Sequence, residues 1–288
     1  MAFADILEAL LTPSLPILAL GILIIIGAPL LLHIALASSS TYITPPTVLL
    51  LGPLASGKTS LLTLFERGTP AETHTSQSTT SVELNASTDA DSKQSFRNHD
   101  DTSGTHTKFI LVDTPGHGKL RNLAFGKLER AETLKAIVFV VDAAALSEQD
   151  VLSTTASYLY DVLLLLQKRA ADKSKTKKSV VPVMIAANKM DLFTALPATM
   201  VRTNLEVELT RIRATRSKGL LDSGVGMDDV GSEDQDAWLG EYGSEKFSFK
   251  QMQEFDIDVD VLPGSITGEE GTGADKWWWW IAQKIANA

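Results

Sequence analysis

The run GPLASGKT, Gly52 to Thr59, fits the pattern G-x-x-x-x-G-K-[ST] in full. Its parts have separate physical uses. Gly52 and Gly57 allow a tight loop whose backbone N–H groups converge on phosphate oxygens. Lys58 brings a positive charge to the β- and γ-phosphates, Thr59 offers a hydroxyl to Mg²⁺, and a helix beginning here adds its positive end. The whole stretch Gly52, Pro53, Leu54, Ala55, Ser56, Gly57, Lys58, Thr59 and Ser60 is therefore a candidate phosphate cradle. About fifty residues on, DTPG (Asp113 to Gly116) follows an apolar run. Asp113 can hold Mg²⁺ through water, and the Gly116 N–H can sense a terminal phosphate. NKMD (Asn188 to Asp191) follows another apolar run. A carboxylate at Asp191 can accept from both N1–H and the exocyclic amine of guanine, whereas adenine presents the opposite pattern and leaves the charge unpaired. The Lys189 stem can lie against the purine ring. Finally GSI (Gly264 to Ile266) would bring the Ser265 backbone N–H towards the guanine carbonyl.

Two positions bear on turnover and on metal. His117 stands directly after DTPG, where many nucleotide switches carry a water-orienting glutamine. Imidazole can orient water too, so His117 is a candidate catalytic residue. In SQSTTSVEL either Thr79 or Thr80 is expected to join Thr59 and Asp113 around Mg²⁺. Arg121 is close in sequence and is expected to be a surface or partner-contact residue.

These residues need a frame that holds distant segments together. TVLLLGPLASGKTSLLTLFERG reads as strand, loop and helix, with Gly68 as the helix stop. SVEL, KFILVDT, KAIVFVVDAAA and VVPVMIAANKMD read as strands, KAIVFVVDAAA with the unbroken apolar character of a strand covered on both faces. EQDVLSTTASYLYDVLLLLQKRA and ALPATMVRTNLEVELTRIRATRSK read as helices. FDIDVDVLPGSI alternates apolar and acidic residues, as an edge strand does, and ADKWWWWIAQKIANA reads as a closing helix. Its four consecutive tryptophans sweep around the helix, so some should pack on the sheet and at least one stay partly exposed. Strands alternating with helices predict a three-layer α/β domain with a mainly parallel sheet over residues 47–288. Polar stretches at 85–107 and 219–246 are expected to be insertions.

The N-terminus is different. LPILALGILIIIGAPLLLHIAL, Leu15 to Leu36, contains no formally charged residue. A helix of ~20 residues crosses ~30 Å of hydrocarbon, so a transmembrane helix is expected over 15–37, after a short N-terminus (1–14) and before a linker (38–46). A cleaved signal peptide fits less well, because the first fourteen residues carry Asp5 and Glu8 and no basic residue. The 288-residue chain is acidic, with net charge -9. That argues against broad nucleic-acid binding. It contains no cysteine, which removes disulfide scaffolds, thiolate nucleophiles and cysteine zinc sites.

In order and spacing the motifs resemble a small Ras-like GTPase. No C-a-a-X ending or M-G start marks a lipid anchor. DTPGHGKLRNLAFGKLE, AIVFVVDAAAL…ASYLYDVLL and LEVELTRIRATRS (Leu205 to Ser217) resemble the beta-subunit family of the signal recognition particle receptor. That resemblance implies a P-loop GTPase with GTP and Mg²⁺, anchored by one helix in the endoplasmic reticulum membrane with its GTPase domain cytosolic. It also implies a partner, the N-terminal domain of the receptor's alpha subunit, recruited by the GTP form for co-translational targeting, with slow hydrolysis. The alternative is a cycling GTPase of the Arf or Sar kind that recruits a coat or tether to an endomembrane.

Overall fold

The computed structural model describes residues 21–29, 31, 45–86, 107–130, 133–171, 181–222, 238–268 and 273–286. The chain divides into two compact units, Met1–Thr44 and Pro45–Ala288. In the first, residues 21–29 are helical, and Ile22 through Ile26 are exposed. Among the described residues no helix is long and apolar enough to cross a membrane. Most of the expected span 15–37 lies outside the described residues.

The second unit is a six-stranded sheet in the order β2-β3-β1-β4-β5-β6. Its strands are β1 (Thr47–Leu51), β2 (Thr80–Ala86), β3 (Thr107–Asp113), β4 (Leu134–Asp142), β5 (Val183–Asn188) and β6 (Val259–Pro263). Every pairing is parallel except β2 with β3. The mainly parallel three-layer α/β architecture expected from the sequence is the one observed. Alternation along the central strands sorts the core. Leu49, Leu51, Ile137, Phe139, Ile185 and Ala187 face one side, and Val48, Leu50, Val138, Val140, Met184 and Ala186 the other. Because both faces are covered, these strands read as continuous apolar runs.

The helices are α1 (Lys58–Arg67), α2 (Arg121–Arg130), α3 (Gln149–Ala171), α4 (Ala198–Asp222) and α5 (Asp275–Ala286). α1 and α5 contribute to one core layer, and α2, α3 and α4 to the other. Gly68 ends α1 in a left-handed conformation, and its N–H donates to the Leu64 carbonyl. α3 carries Asp150 in its first turn and Lys168 and Arg169 in its last, matching the helix dipole. In α5, Trp277 and Trp280 are buried, Trp278 packs edge-on to Phe65, and Trp279 is exposed. Trp280 Nε1 also donates to Asp260 Oδ2, joining α5 to β6.

The expected insertions are shorter than their composition suggests. Asn85 and Ala86 belong to β2, where Ala86 is buried and pairs with Thr107. Residues 87–106 lie outside the described residues. α4 continues to Asp222, and the chain is packed again from Trp238. Leu239 is fully buried there, and Arg213 donates to the Leu239 and Ser244 carbonyls while its guanidinium stacks on Trp238. Glu206 accepts from the Phe249 N–H and from Ser248, at the start of a 3₁₀ turn over Phe249–Phe255. The LEVELTRIRATRS helix is thus the clamp that seats residues 238–255. One acid-to-backbone and two arginine-to-carbonyl contacts hold what looks in the sequence like a loose acidic loop. Residues 223–237 lie outside the described residues.

Candidate functional site

The loop between β1 and α1 is built by its own backbone. Gly57, at φ 98°, is the residue from which α1 starts. A side chain at Gly57 would run into the Asn188 amide and come within 3.0 Å of Ile266, so the position requires glycine for both conformation and space. Ser56 Oγ donates to the Pro53 carbonyl at 3.0 Å, and Lys58 Nζ donates to the same oxygen at 2.7 Å. Lys58 is 5% exposed. Burial lowers its pKa to about 8, partly offset by the charge of Asp113. An ammonium kept this dry has much to gain from an anion.

Asp113 ends β3 and is fully buried. Its Oδ2 accepts from Thr59 Oγ1 at 2.6 Å, and its Oδ1 has no partner among the described residues. Burial raises its pKa, against the opposing pull of Thr59 and Lys58. A buried carboxylate with a free oxygen, bonded to a hydroxyl on the loop helix, is a donor set suited to a hard divalent cation. The residues present therefore fit Mg²⁺. Thr114 Oγ1 donates to the Leu50 carbonyl and fixes the DTPG turn to β1. Gly116 is buried against Pro53 and Lys58.

The NKMD loop is joined to both sides. Asn188 is 3% exposed. Its Nδ2 donates to the Ser56 carbonyl at 2.8 Å, while its Oδ1 has no partner among the described residues. Lys189 turns the chain in a left-handed conformation, φ 64°. Its Nζ donates to Asp142 Oδ2 at 2.5 Å, an anchor on β4 that no motif announces. The GSI loop is fastened by backbone alone. The Gly264 N–H donates to the Ala187 carbonyl, and the Met190 N–H donates to the Gly264 carbonyl. A Cβ on Gly264 would sit 2.6 Å from the Trp277 ring and 2.7 Å from the Gly273 carbonyl. Trp277 Nε1 donates to the Leu262 carbonyl at 3.1 Å. The closing helix thus supports this loop from below.

Together these loops line a cavity of about 470 Å³. Leu54, Ala55, Gly57, Lys58, Thr59, Ser60 and Gly116 contribute from the phosphate-loop side, and Asn188, Lys189 and Asp191 from the other. Gly52, Pro53, Ser56, Asp113 and Ser265 stand behind this lining rather than in it. His117 does not line it either. It is exposed, and its Nδ1 accepts from the Lys119 N–H at 3.3 Å as the cap of a short 3₁₀ turn. Thr79 and Thr80 also lie outside the lining. Thr80 begins β2 opposite Asp113. Thr73, His74, Thr75 and Ser76 line the cavity instead, and Thr73 shares a 2.8 Å hydrogen bond with Ser60. Their signal in the sequence was only a polar loop. Leu192, Ile266 and Thr267 complete the lining; they directly follow the motif residues Asp191 and Ser265, and their residue types carry no signal of their own.

A family model described as the signal recognition particle receptor beta subunit matches residues 44–255. The chain belongs to that family. The family's beta subunit from Saccharomyces cerevisiae is 30% identical over 276 residues, covering 93% of this chain and 98% of the yeast protein. Two solved structures from Chaetomium thermophilum are each 42% identical. The receptor's SRb-GTP/SRX complex matches with a TM-score of 0.70 over 83% of this chain and 99% of that one. The SRb-GDP-Mg form matches with a TM-score of 0.61 over 85% of this chain and all of that one.

Proposed function

We propose that this chain is a membrane-anchored GTP-binding switch of the signal recognition particle receptor. In this reading its GTP form recruits the receptor's alpha subunit, through that subunit's N-terminal domain, to the endoplasmic reticulum for co-translational targeting. The observation that carries it is the meeting of Lys58, Thr59, Gly116, Asn188, Lys189 and Asp191, from separate stretches of sequence, around one cavity. Gly57 and Lys58 would bind the phosphates, and Asp191 would read the guanine edge. Thr59 and Asp113 would hold Mg²⁺, which supplies positive charge against the phosphates when bound. Solved relatives with GTP, with GDP and Mg, and with SRX support the ligands and the partner.

The apolar run at 15–37 would be the single membrane anchor, placing residues 1–14 in the lumen and the GTPase unit, 47–288, in the cytosol, where GTP and Mg²⁺ are available. Hydrolysis would be slow. His117 would orient water through its Nε2, since its Nδ1 accepts from the Lys119 N–H. The test uses the full chain in detergent with the alpha subunit's N-terminal domain, in GTP, GDP or no nucleotide, with phosphate release followed in the same sample. Tight binding in GTP alone with slow release is expected. Binding indifferent to nucleotide would overturn the reading.

A further inference from the structure

Tyr158 lies on α3, an element that contributes nothing to the cavity lining. It is fully buried all the same. Its ring packs edge-on against Phe125 of α2, at 5.9 Å, and against Phe139 of β4, at 5.4 Å. The guanidinium of Arg121, the first residue of α2, lies 4.4 Å from its ring centre. Burial pushes the phenol up to about 12, while Arg121, the Thr114 hydroxyl and the Gly52 backbone draw it down. The phenol edge therefore faces the first residue of the phosphate loop and the second residue of DTPG. One side chain touches the start of the switch helix with its face and the floor of both phosphate motifs with its edge.

The polar atoms of this pair are poorly served. Tyr158 OH lies near the Thr114 hydroxyl and the Gly52 backbone without reaching hydrogen-bond geometry, and Arg121 Nε, also buried, makes no hydrogen bond among the described residues. An enclosed donor without an acceptor disfavours the arrangement that contains it. The cation–ring contact, made on a ring that is itself fully buried, favours that arrangement. Opposing contributions on one contact are what a two-state element needs, because neither arrangement is then overwhelmingly preferred. α2 follows the DTPG turn through a three-residue 3₁₀ turn, so a shift of Gly116 towards or away from a phosphate is passed to Arg121 within a few residues.

We infer that the Tyr158 ring is the seat on which Arg121 holds the switch helix α2 in its triphosphate-competent position, making the pair positioning residues for nucleotide discrimination. This rests on the GTP-switch reading above. Arg121 does not serve as a finger on the phosphate in this arrangement, since its guanidinium is spent on Tyr158.

The experiment measures equilibrium affinity for GDP and for a non-hydrolysable GTP analogue on the full chain in detergent, for the wild type, Arg121→Gln and Tyr158→Phe. Arg121→Gln should lower the triphosphate-to-diphosphate affinity ratio about tenfold while GDP affinity stays within about twofold, the size expected for a cation–ring contact on a buried ring. Tyr158→Phe keeps the seat and deletes an unpartnered hydroxyl, so its ratio should hold or rise. A merely structural role would weaken both nucleotides together and leave the ratio fixed. An unchanged ratio in Arg121→Gln, or a fall in Tyr158→Phe to match it, overturns the inference while the switch reading stands. A wild-type chain that binds no guanine nucleotide sinks both.

Discussion

The two ends of the cavity are built in opposite ways. At the phosphate end, six residues of the single loop between Gly52 and Ser60 line the wall, and the key groups, Lys58 and Asp113, are buried. At the base end, residues 188–191 and 264–267 come from strands far apart in sequence, fastened by backbone bonds through Gly264 and propped by Trp277. That end is open. Asp191 is exposed, and beside it Leu192 is 46% exposed and Phe193 fully so. The phosphate end holds its charges ready in a dry site, while the base end waits for its ligand to complete it. Electrostatic strength thus comes from a contiguous loop, and selectivity from an assembly of distant ones.

The comparison can be broken most forcefully at Asp191. Asp191→Asn should shift preference from guanine towards xanthine nucleotides by about 10⁴, because the edge pattern is then reversed. Competition binding with both bases checks it, and unaltered guanine preference would remove Asp191 from the base site. Lys58→Met should weaken every nucleotide alike, by about 3 kcal/mol or roughly a hundredfold, without changing base choice. The two variants together separate strength from selectivity.

Lys58 also sharpens the contrast through pH. Below about pH 8 the lysine is charged in both folded and unfolded chains, and the folded state carries a desolvation cost of about 3 kcal/mol. Above that pH the folded chain sheds the proton first and the unfolded chain binds more. Nucleotide-free stability should therefore rise with pH towards the ordinary lysine value of 10.5. Denaturant midpoints would show the rise, and Lys58→Met should abolish this part of it.

Gly264→Ala should cost about 2 kcal/mol of stability by overpacking against Trp277, with guanine affinity falling beyond phosphate affinity. Thermal unfolding and pyrophosphate competition would separate the two effects. The smallest change is expected at His117. His117→Ala should slow single-turnover hydrolysis about tenfold and leave nucleotide affinity alone. An unchanged rate would confine His117 to capping its turn.

The phosphate end was legible because its chemistry sits in one short pattern that also sets the local fold, strand into loop into helix. The sheet was legible because doubly covered strands must be apolar throughout. The base end was legible only as motifs, since no spacing reveals that Gly264 must clear an indole or that Asp142 anchors Lys189. Composition misled at Asn85, Ala86 and Trp238 to Ser244, where a few buried side chains and an arginine clamp order polar chain. It also hid Thr73 to Ser76, whose placement along the cavity depends on a tertiary bond to Ser60. Tyr158 gave no sign at all, because a core tyrosine on an amphipathic helix looks like any other.

Trp277 gives this protein an optical property. Its indole is sealed under the loop that would meet the base, whereas Trp279, two residues on, stands in solvent at 61% exposure. One fluorophore is therefore placed to change its emission when the base loop tightens, and a second is placed to report only on water. With Trp238, Trp278 and Trp280 replaced by phenylalanine, the closing helix would carry its own signal and its own reference, and occupancy of the base end could be followed by light without attaching a label.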